Sequence, residues 1–455
     1  MTTVYIVSLG CSKNLVDTEV MCGQLATSGF ALTPEPELAD IMLINTCGFI
    51  RAAREEARQE IGEALDWKRS REGRRVVVAG CLPQLDMDAA RESFPDVDAF
   101  LGVDNAHMVA DTLRQVMTRD SGQMPQDVEC DSPIYLYDHR TPRLQLTPST
   151  YVYVKIADGC DNRCAYCTIP DIRGAQRSRS PESVVEECRQ HISNGAAELN
   201  FIAQDTARYG EDRQEQVTLS DLLMQVDRLP GDFWIRVLYL HPLHIDDRLI
   251  DVLAEARHVV PYLDIPLQHV NDRVLTLMGR GACGERVRKL VGKLRSRIPN
   301  AALRSTLMVG YPGEGEREFA ELAAFVRDIS FDRLGVFCFS PEPGTQAAAL
   351  EVPAVSAEIA EKRRATLLET QQAHALARNR RLIGRTCSVL LEEVRESGTF
   401  IGRTYADAPE VDQVVEFTGP EDVLTSPFAR VTVTDAAEYD LYGEWCATGD
   451  SRLRD

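Results

Sequence analysis

Three cysteines fall within one short segment, Cys160-Asp-Asn-Arg-Cys164-Ala-Tyr-Cys167. Cysteine sulfur is the usual protein ligand of iron in iron–sulfur clusters. Three thiolates on one tight loop can hold three irons of a [4Fe–4S] cluster and leave the fourth iron open. A structural zinc site is the competing reading, but zinc asks for four ligands, commonly as paired C-x2-C knuckles. No further Cys or His lies between Cys167 and Cys188, and Cys188 falls on a helical pattern. The spacing therefore favours a cluster with one reactive iron.

A second set is dispersed. Cys11, Cys47 and Cys81 each close an apolar run, in Ser-Leu-Gly-Cys11, Asn-Thr-Cys47 and Ala-Gly-Cys81. In a parallel sheet the carboxyl ends of the strands share one edge, where ligands bind. The three thiols should then converge and again leave one iron open, where an exogenous sulfur could sit. Three buried core cysteines are the plainer alternative. It does not explain why all three terminate strands, two of them directly after glycine. Asn14 and Asp17, near Cys11, either shape this second site or cap the following helix.

The elements that must position these residues follow from periodicity. Residues 4–7, 41–44 and 76–79 are continuous apolar runs rich in β-branched side chains, as in buried parallel strands. Helical patterns at 18–28 and 50–69 alternate with them, so residues 1–125 are expected to form a doubly wound α/β domain. Residues 126–150 carry several prolines and read as a linker. Six strands are expected next, at 151–156, 198–203, 234–240, 262–266, 302–309 and 334–339, with helices at 181–194, 219–228 and 316–328. Six βα units are too few for a closed eight-unit barrel, so residues 151–380 predict an open (β/α)6 barrel. A long helix at 357–381 leads to short alternating strands at 388–394, 400–405, 414–417 and 429–434. Residues 381–455 therefore predict a small antiparallel β-barrel of the OB kind.

Bulk properties narrow the function classes. The chain has 455 residues, 44% of them hydrophobic, and carries a net charge of −20. That charge argues against nucleic acid and for a basic protein partner. Thirteen cysteines without a signal peptide are not a disulfide framework. Of these, Cys22, Cys188, Cys283 and Cys338 sit in apolar or helical patterns and are expected to be buried. No apolar run approaches the roughly 20 residues needed to span a bilayer, so a cytoplasmic protein is expected.

The C-x3-C-x2-C spacing, with aromatic Tyr166 before its last cysteine and its place after the first strand of the barrel series, resembles the signature of radical S-adenosylmethionine (SAM) enzymes. Two three-cysteine sets in this order resemble the methylthiotransferase family of that superfamily. The stretches Ser8-Leu-Gly-Cys-Ser-Lys-Asn-Leu-Val-Asp17, Ile156-Ala-Asp-Gly-Cys-Asp-Asn-Arg-Cys164 and Arg403-Thr-Tyr-Ala-Asp-Ala-Pro-Glu-Val-Asp412 are similar to its branch that modifies ribosomal protein S12. The resemblance spans the chain and implies a C-terminal TRAM domain, two [4Fe–4S] clusters and SAM as cofactors. It also implies catalysis by the clusters, with no further catalytic residue assigned. The implied reaction adds a methylthio group to the β-carbon of an aspartate in S12. One SAM would donate a methyl to sulfur at the N-terminal cluster and another would generate a radical. An electron donor is implied; the sulfur source stays open.

A tRNA methylthiotransferase shares both clusters and is the nearest alternative. The C-terminal region speaks against it: from residue 383 onward there are six Arg, no Lys and fifteen Asp plus Glu. An RNA-binding barrel wants a basic groove with stacking aromatics, whereas Tyr405, Phe417, Tyr439, Tyr442 and Trp445 lie on strand patterns expected to be core. A non-enzymatic iron–sulfur carrier would normally ligate each cluster fully. Weaker signals are strand-end residues. The usual Gly-Gly-Glu stretch of the superfamily is replaced by Ile202-Ala-Gln204-Asp205, leaving Gln204 and Tyr166 as candidate cofactor contacts. Gly310-Tyr-Pro-Gly313-Glu-Gly315 reads as a SAM-side loop or a tight turn, and His269 as a structural residue.

Overall fold

Alternation along the first strands decides which side chains face which helices. In the computed structural model, which describes residues 1–118, 126–127, 133–281, 283–395 and 398–447, the chain forms two compact units. The first comprises Met1–Thr147, Lys155–Val184 and Glu342–Ala348; the second comprises Pro148–Val154, Val185–Pro341 and the chain from Ala349 onward.

The first unit is built on a parallel sheet in the order β2-β1-β3-β4-β5-β6. Its strands are β1 (Thr3–Ser8), β2 (Ala31–Leu32), β3 (Ile41–Thr46), β4 (Arg75–Gly80), β5 (Ala99–Leu101) and β6 (Gln126–Asp127). Ile41, Leu43, Val77 and Ala79 face helices α1 (Ser12–Thr27) and α5 (Val109–Thr118). Met42, Ile44, Val76 and Val78 face α2 (Arg51–Arg69) and the pair α3 (Cys81–Leu85) and α4 (Met87–Ser93). Both faces are covered, the expected state of a parallel sheet. Residues 133–147 are not a free tether within this unit. Glu19, fully buried on α1, binds Arg143 at 2.5 Å and the Leu146 N–H at 2.6 Å. The two-stranded pair β8 (Ala157–Asp158) and β9 (Arg177–Ser178), with α6 (Ile169–Arg173) between them, completes the unit.

The second unit carries a six-stranded sheet in the order β14-β13-β12-β11-β10-β7. Its strands are β7 (Tyr151–Lys155), β10 (Glu198–Ile202), β11 (Trp234–Val237), β12 (Val259–Asp264), β13 (Ala302–Val309) and β14 (Arg333–Cys338). Registered neighbours run parallel, and β14 does not close onto β7, so the barrel is open as expected. The connecting helices are α7 (Pro181–Ser193), α8 (Leu219–Val226), α9 (Asp247–Glu255), α10 (Asp272–Leu277), α11 (Gly284–Arg297) and α12 (Glu316–Ile329). The Ser180 hydroxyl accepts the Ser183 N–H at 3.2 Å, the predicted start of α7.

Helix α13 (Ala357–Arg380) leads into a closed five-stranded barrel of β15 (Thr386–Val394), β16 (Thr399–Arg403), β17 (Val415–Thr418), β18 (Phe428–Ala436) and β19 (Leu441–Trp445). Its pairs are antiparallel except β17 with β19, which run parallel. The short β19, absent from the sequence-based expectation, closes it. Phe400, Phe417, Val431 and Leu441 fill the interior. Two expectations fail here: Tyr439 and Tyr442 are exposed rather than core. Likewise Cys283 is exposed and Cys338 only half-buried, because Cys283 lies in the turn before α11 and Cys338 ends β14, whereas Cys22 and Cys188 are buried.

Charged residues of the 403–412 stretch bind the large sheet of the same unit. Glu198 on β10 is fully buried and accepts from Arg236 at 2.8 Å and from Arg403 at 2.6 Å. Burial alone would raise its pKa, but the Arg403 and Arg236 guanidiniums hold it down at about 2. Asp407 pairs with Arg333, and Asp412 accepts from the Tyr262 hydroxyl at 2.5 Å.

Candidate active site

Both cysteine sets lie in the first unit. Cys11, Cys47 and Cys81 directly follow or closely trail β1, β3 and β4, three adjacent strands. Cys11 occupies the position before α1 with extended backbone, and Cys81 opens α3. Close approach is written into the preceding glycines. A Cβ on Gly10, whose φ is +94°, would sit 2.7 Å from Cys47 Cβ and 3.3 Å from its Sγ. A Cβ on Gly80, with φ of +97°, would sit 2.3 Å from Asn45 Oδ1. Only glycine fits either position without strain.

Asn14 is the hub of the three loops. Its amide nitrogen donates to Leu9 O at 3.0 Å and to Thr46 O at 2.8 Å, while its oxygen lies 3.4 Å from Cys81 Sγ. It thus touches the chain beside each of the three cysteines, and it is fully buried. It does not cap α1; nor does Asp17, which pairs with Lys155 at 2.5 Å. On the outer side of Cys47, Arg54 donates to Gly48 O at 3.1 Å and binds buried Glu342 at 2.5 Å.

Burial pushes the Cys81 thiol up to about 12; the nearby Arg173 guanidinium opposes this, and Cys47 and Cys11 add to it. Burial also raises Cys47, with Cys11 adding to the rise. Three mutually influencing thiols near a cation suit a multi-iron group, whose binding would displace their protons.

The other set sits on the loop between β8 and α6. Cys160 is buried, and its N–H donates to Gly174 O at 3.1 Å. A turn from Cys164 O to the Cys167 N–H, 3.1 Å, draws those two together. The Ile169 N–H points at Cys167 Sγ from 3.4 Å, a donor suited to a thiolate. Tyr166 is half-buried on this loop. The mutual influence of the strand-end thiols and the backbone donor at Cys167 on the second loop both suit an iron–sulfur group.

Between the sets lies a buried charge network that periodicity could not show. Arg173, six positions after Cys167, contacts Asp158 at 2.9 Å, Asp17 at 2.9 Å and Asn14 Oδ1 at 2.7 Å. Its Nη2 also reaches Cys81 Sγ at 3.6 Å. Lys155 binds Asp158 at 2.9 Å. Two cations thus balance two carboxylates.

Gln204 belongs to the second unit, half-buried after β10. Its neighbour Asp205 is buried and lies 2.7 Å from His244 Nδ1, and His241 stacks on His244. Burial pushes His241 down to about 3, helped by Arg280 and opposed by Asp205. Sequence reasoning missed this trio because His241 and His244 lie past the end of β11, with no spacing motif to mark them. In the 310–315 loop the Tyr311 hydroxyl donates to Leu277 O at 3.1 Å, and Glu314 binds Arg363 at 2.9 Å. His269 is fully buried, its Nδ1 accepting the Asn271 N–H at 3.0 Å.

Three family descriptions match in sequence: Uncharacterized protein family UPF0004 over residues 3–102, Radical SAM superfamily over 154–326 and TRAM domain over 383–446. A relative from Heliobacterium modesticaldum, "Ribosomal protein uS12 methylthiotransferase RimO", is 42% identical over 97% of this chain and 94% of its own length. The chain belongs to the RimO family. A second RimO relative, from Desulforamulus reducens, is 39% identical and covers 98% of this chain and 99% of its own. As a RimO family member the chain is a radical SAM methylthiotransferase, with two [4Fe–4S] clusters and SAM as cofactors. Among solved structures, the radical SAM methyltransferase TsrM from Kitasatospora setae shares the fold with a TM-score of 0.55 at 15% identity, covering 76% of this chain and 77% of its own.

Proposed function

We propose that this RimO family protein adds a methylthio group to the β-carbon of an aspartate in ribosomal protein uS12, in the cytoplasm. The observation that carries the reading is the gathering of two three-cysteine sets in one compact unit, bridged by Asn14 and Arg173. Cys160, Cys164 and Cys167 would hold the SAM-side cluster, and Cys11, Cys47 and Cys81 the sulfur-side one. When bound and reduced, the SAM-side cluster supplies one electron that splits SAM into methionine and a 5′-deoxyadenosyl radical able to take hydrogen from carbon. A second SAM would give its methyl group to the incoming sulfur and leave as S-adenosylhomocysteine, with an external electron donor and a sulfur donor supplying the rest. Tyr166 and Gln204 are assigned to SAM.

The residues themselves position and screen. The Ile169 N–H stabilises the Cys167 thiolate, and Asn14 holds the three strand-end loops together. Residues 1–125, 151–380 and 381–455 are assigned the sulfur-side, SAM-side and substrate-docking parts. The last carries exposed Glu393, Glu421, Asp422, Asp435 and Glu444, a surface that would attract a basic ribosomal protein and repel RNA phosphate. Among the described residues no helix is long and apolar enough to cross a membrane.

The test is anaerobic. Protein reconstituted with iron and sulfide is given reductant, SAM and purified uS12, and uS12 peptides are weighed. One methylthio group gained on an aspartate is expected. SAM cleavage with unmodified uS12 would discard the protein substrate and turn attention to tRNA.

A further inference from the structure

We propose that Arg173 is a positioning residue that donates a hydrogen bond to the cluster-bound sulfur of Cys81 and thereby raises the reduction potential of the N-terminal cluster. The inference rests on the assignment of Cys11, Cys47 and Cys81 as that cluster's ligands. Arg173 is 2% exposed, and its Nη2 lies 3.6 Å from Cys81 Sγ. Once Cys81 is a thiolate its sulfur can only accept, and Nη2 is the guanidinium nitrogen that faces it.

The other contacts of Arg173 fix that aim. Nη1 donates to Asp158 at 2.9 Å, the second Nη2 hydrogen goes to Asn14 Oδ1 at 2.7 Å, and the Asp17 carboxylate adds an ion-pair contact at 2.9 Å. Both carboxylates also bind Lys155. A planar fork gripped at several points loses little freedom in holding one further contact. Its origin matters as much as its target: Arg173 ends α6, the helix that follows the Cys160–Cys167 loop, and Asp158 stands two positions before Cys160. One side chain therefore touches the surroundings of both cysteine sets.

A reduced cluster carries one more negative charge than its oxidised form. A cation and an N–H donor at a ligand sulfur favour the reduced form, and burial keeps water from screening the effect. Loss of Arg173 must then move the potential downward.

The test is a redox titration of reconstituted protein followed by electron paramagnetic resonance. The Cys160→Ala variant identifies the N-terminal cluster's signal. Arg173→Gln alone would leave two buried carboxylates to share the single charge of Lys155, so it is paired with Asp17→Asn, which leaves Lys155 matched to Asp158. The double variant is expected to bind the parental amount of iron with an N-terminal cluster of more negative midpoint potential, the other cluster changing less. Arg173→Lys, which keeps the charge without the fork, should restore part of the shift. An unmoved N-terminal potential in the folded, iron-loaded double variant would overturn the role of Arg173 alone. Absence of any N-terminal cluster in the Cys160→Ala protein would overturn the ligand assignment together with it.

Discussion

Asn14 Oδ1 accepts a hydrogen bond from Arg173 Nη2 at 2.7 Å, so one buried amide joins the strand-end cysteine loops to the helix that follows the Cys160–Cys167 loop. The same amide donates to Leu9 O and Thr46 O, and no other residue type matches it in size with two donors and an acceptor on one planar group.

Asn14→Leu should therefore cost about 1–3 kcal/mol in apo-protein stability, the usual penalty for orphaning buried partners. After reconstitution the variant is expected to lose the N-terminal cluster's iron while still cleaving SAM. Iron analysis and 5′-deoxyadenosine release check the two outcomes; full iron loading would contradict the hub role.

The two sets should separate by mutation. Cys164→Ala is expected to abolish SAM cleavage and retain one cluster's iron. Cys47→Ala should continue to release 5′-deoxyadenosine without methylthio transfer. Normal transfer by Cys47→Ala would remove the strand-end set from the chemistry.

Gly10→Ala tests the convergence itself. Its new methyl group would meet Cys47 Cβ at 2.7 Å in a backbone region that costs an L-residue roughly 1–2 kcal/mol. Loss of the N-terminal cluster is expected, with the SAM-side cluster spectrum unchanged. A fully loaded variant would show that the loops do not close on one site.

Glu198 makes the second unit sensitive to acid. Its folded-state pKa of about 2 lies below the ordinary 4.5. The pairing therefore stabilises the fold fully above the unfolded value, and that contribution, roughly 3 kcal/mol, is lost as pH falls from about 4.5 towards about 2. Glu198→Gln should remove this part of the pH dependence and lower stability at neutral pH by about 3–5 kcal/mol, because buried Arg236 loses its carboxylate and Arg403 keeps only Glu392. Apo-protein denaturant melts between neutral and acid pH give both numbers.

Docking of a basic substrate should respond to charge reversal on the small barrel. Glu421→Lys with Asp422→Lys is expected to raise KM for uS12 several-fold, leave kcat unchanged and flatten the salt dependence. An unchanged KM would place the docking surface elsewhere.

Much of this was legible in the chain. Residues 302–309 were read as a strand to the residue, and the three apolar runs before Cys11, Cys47 and Cys81 are β1, β3 and β4. Continuous burial on both faces leaves a continuous apolar run, which is why these stood out. The start of α1 was not legible: the helix begins at Ser12, six positions before the expected 18, because Lys13, Asn14 and Asp17 are polar yet buried, serving the site rather than a hydrophobic stripe. Strands β2 and β5 were too short to establish a period, and β19 places Gly443 at an inward position, so it shows no apolar alternation.

What the sequence displayed by itself is the candidate ligand set: cysteine type, the C-x3-C-x2-C spacing, and glycine before two of the strand-end thiols. These are local properties, since a loop's reach and a glycine's permitted φ depend on a few neighbouring bonds. What only the tertiary structure decided is the company those thiols keep. Arg173, Asp17, Asp158, Lys155 and Asn14 are scattered over more than 150 positions, as the 159-residue separation of Asn14 from Arg173 shows. Asn14 and Asp17 stand out only as neighbours of Cys11, and nothing in the local pattern pairs them with Arg173, Asp158 or Lys155. Buried charges must find partners wherever the fold delivers them, and that pairing is set by how β-strand ends, helix starts and the cysteine loop meet in space.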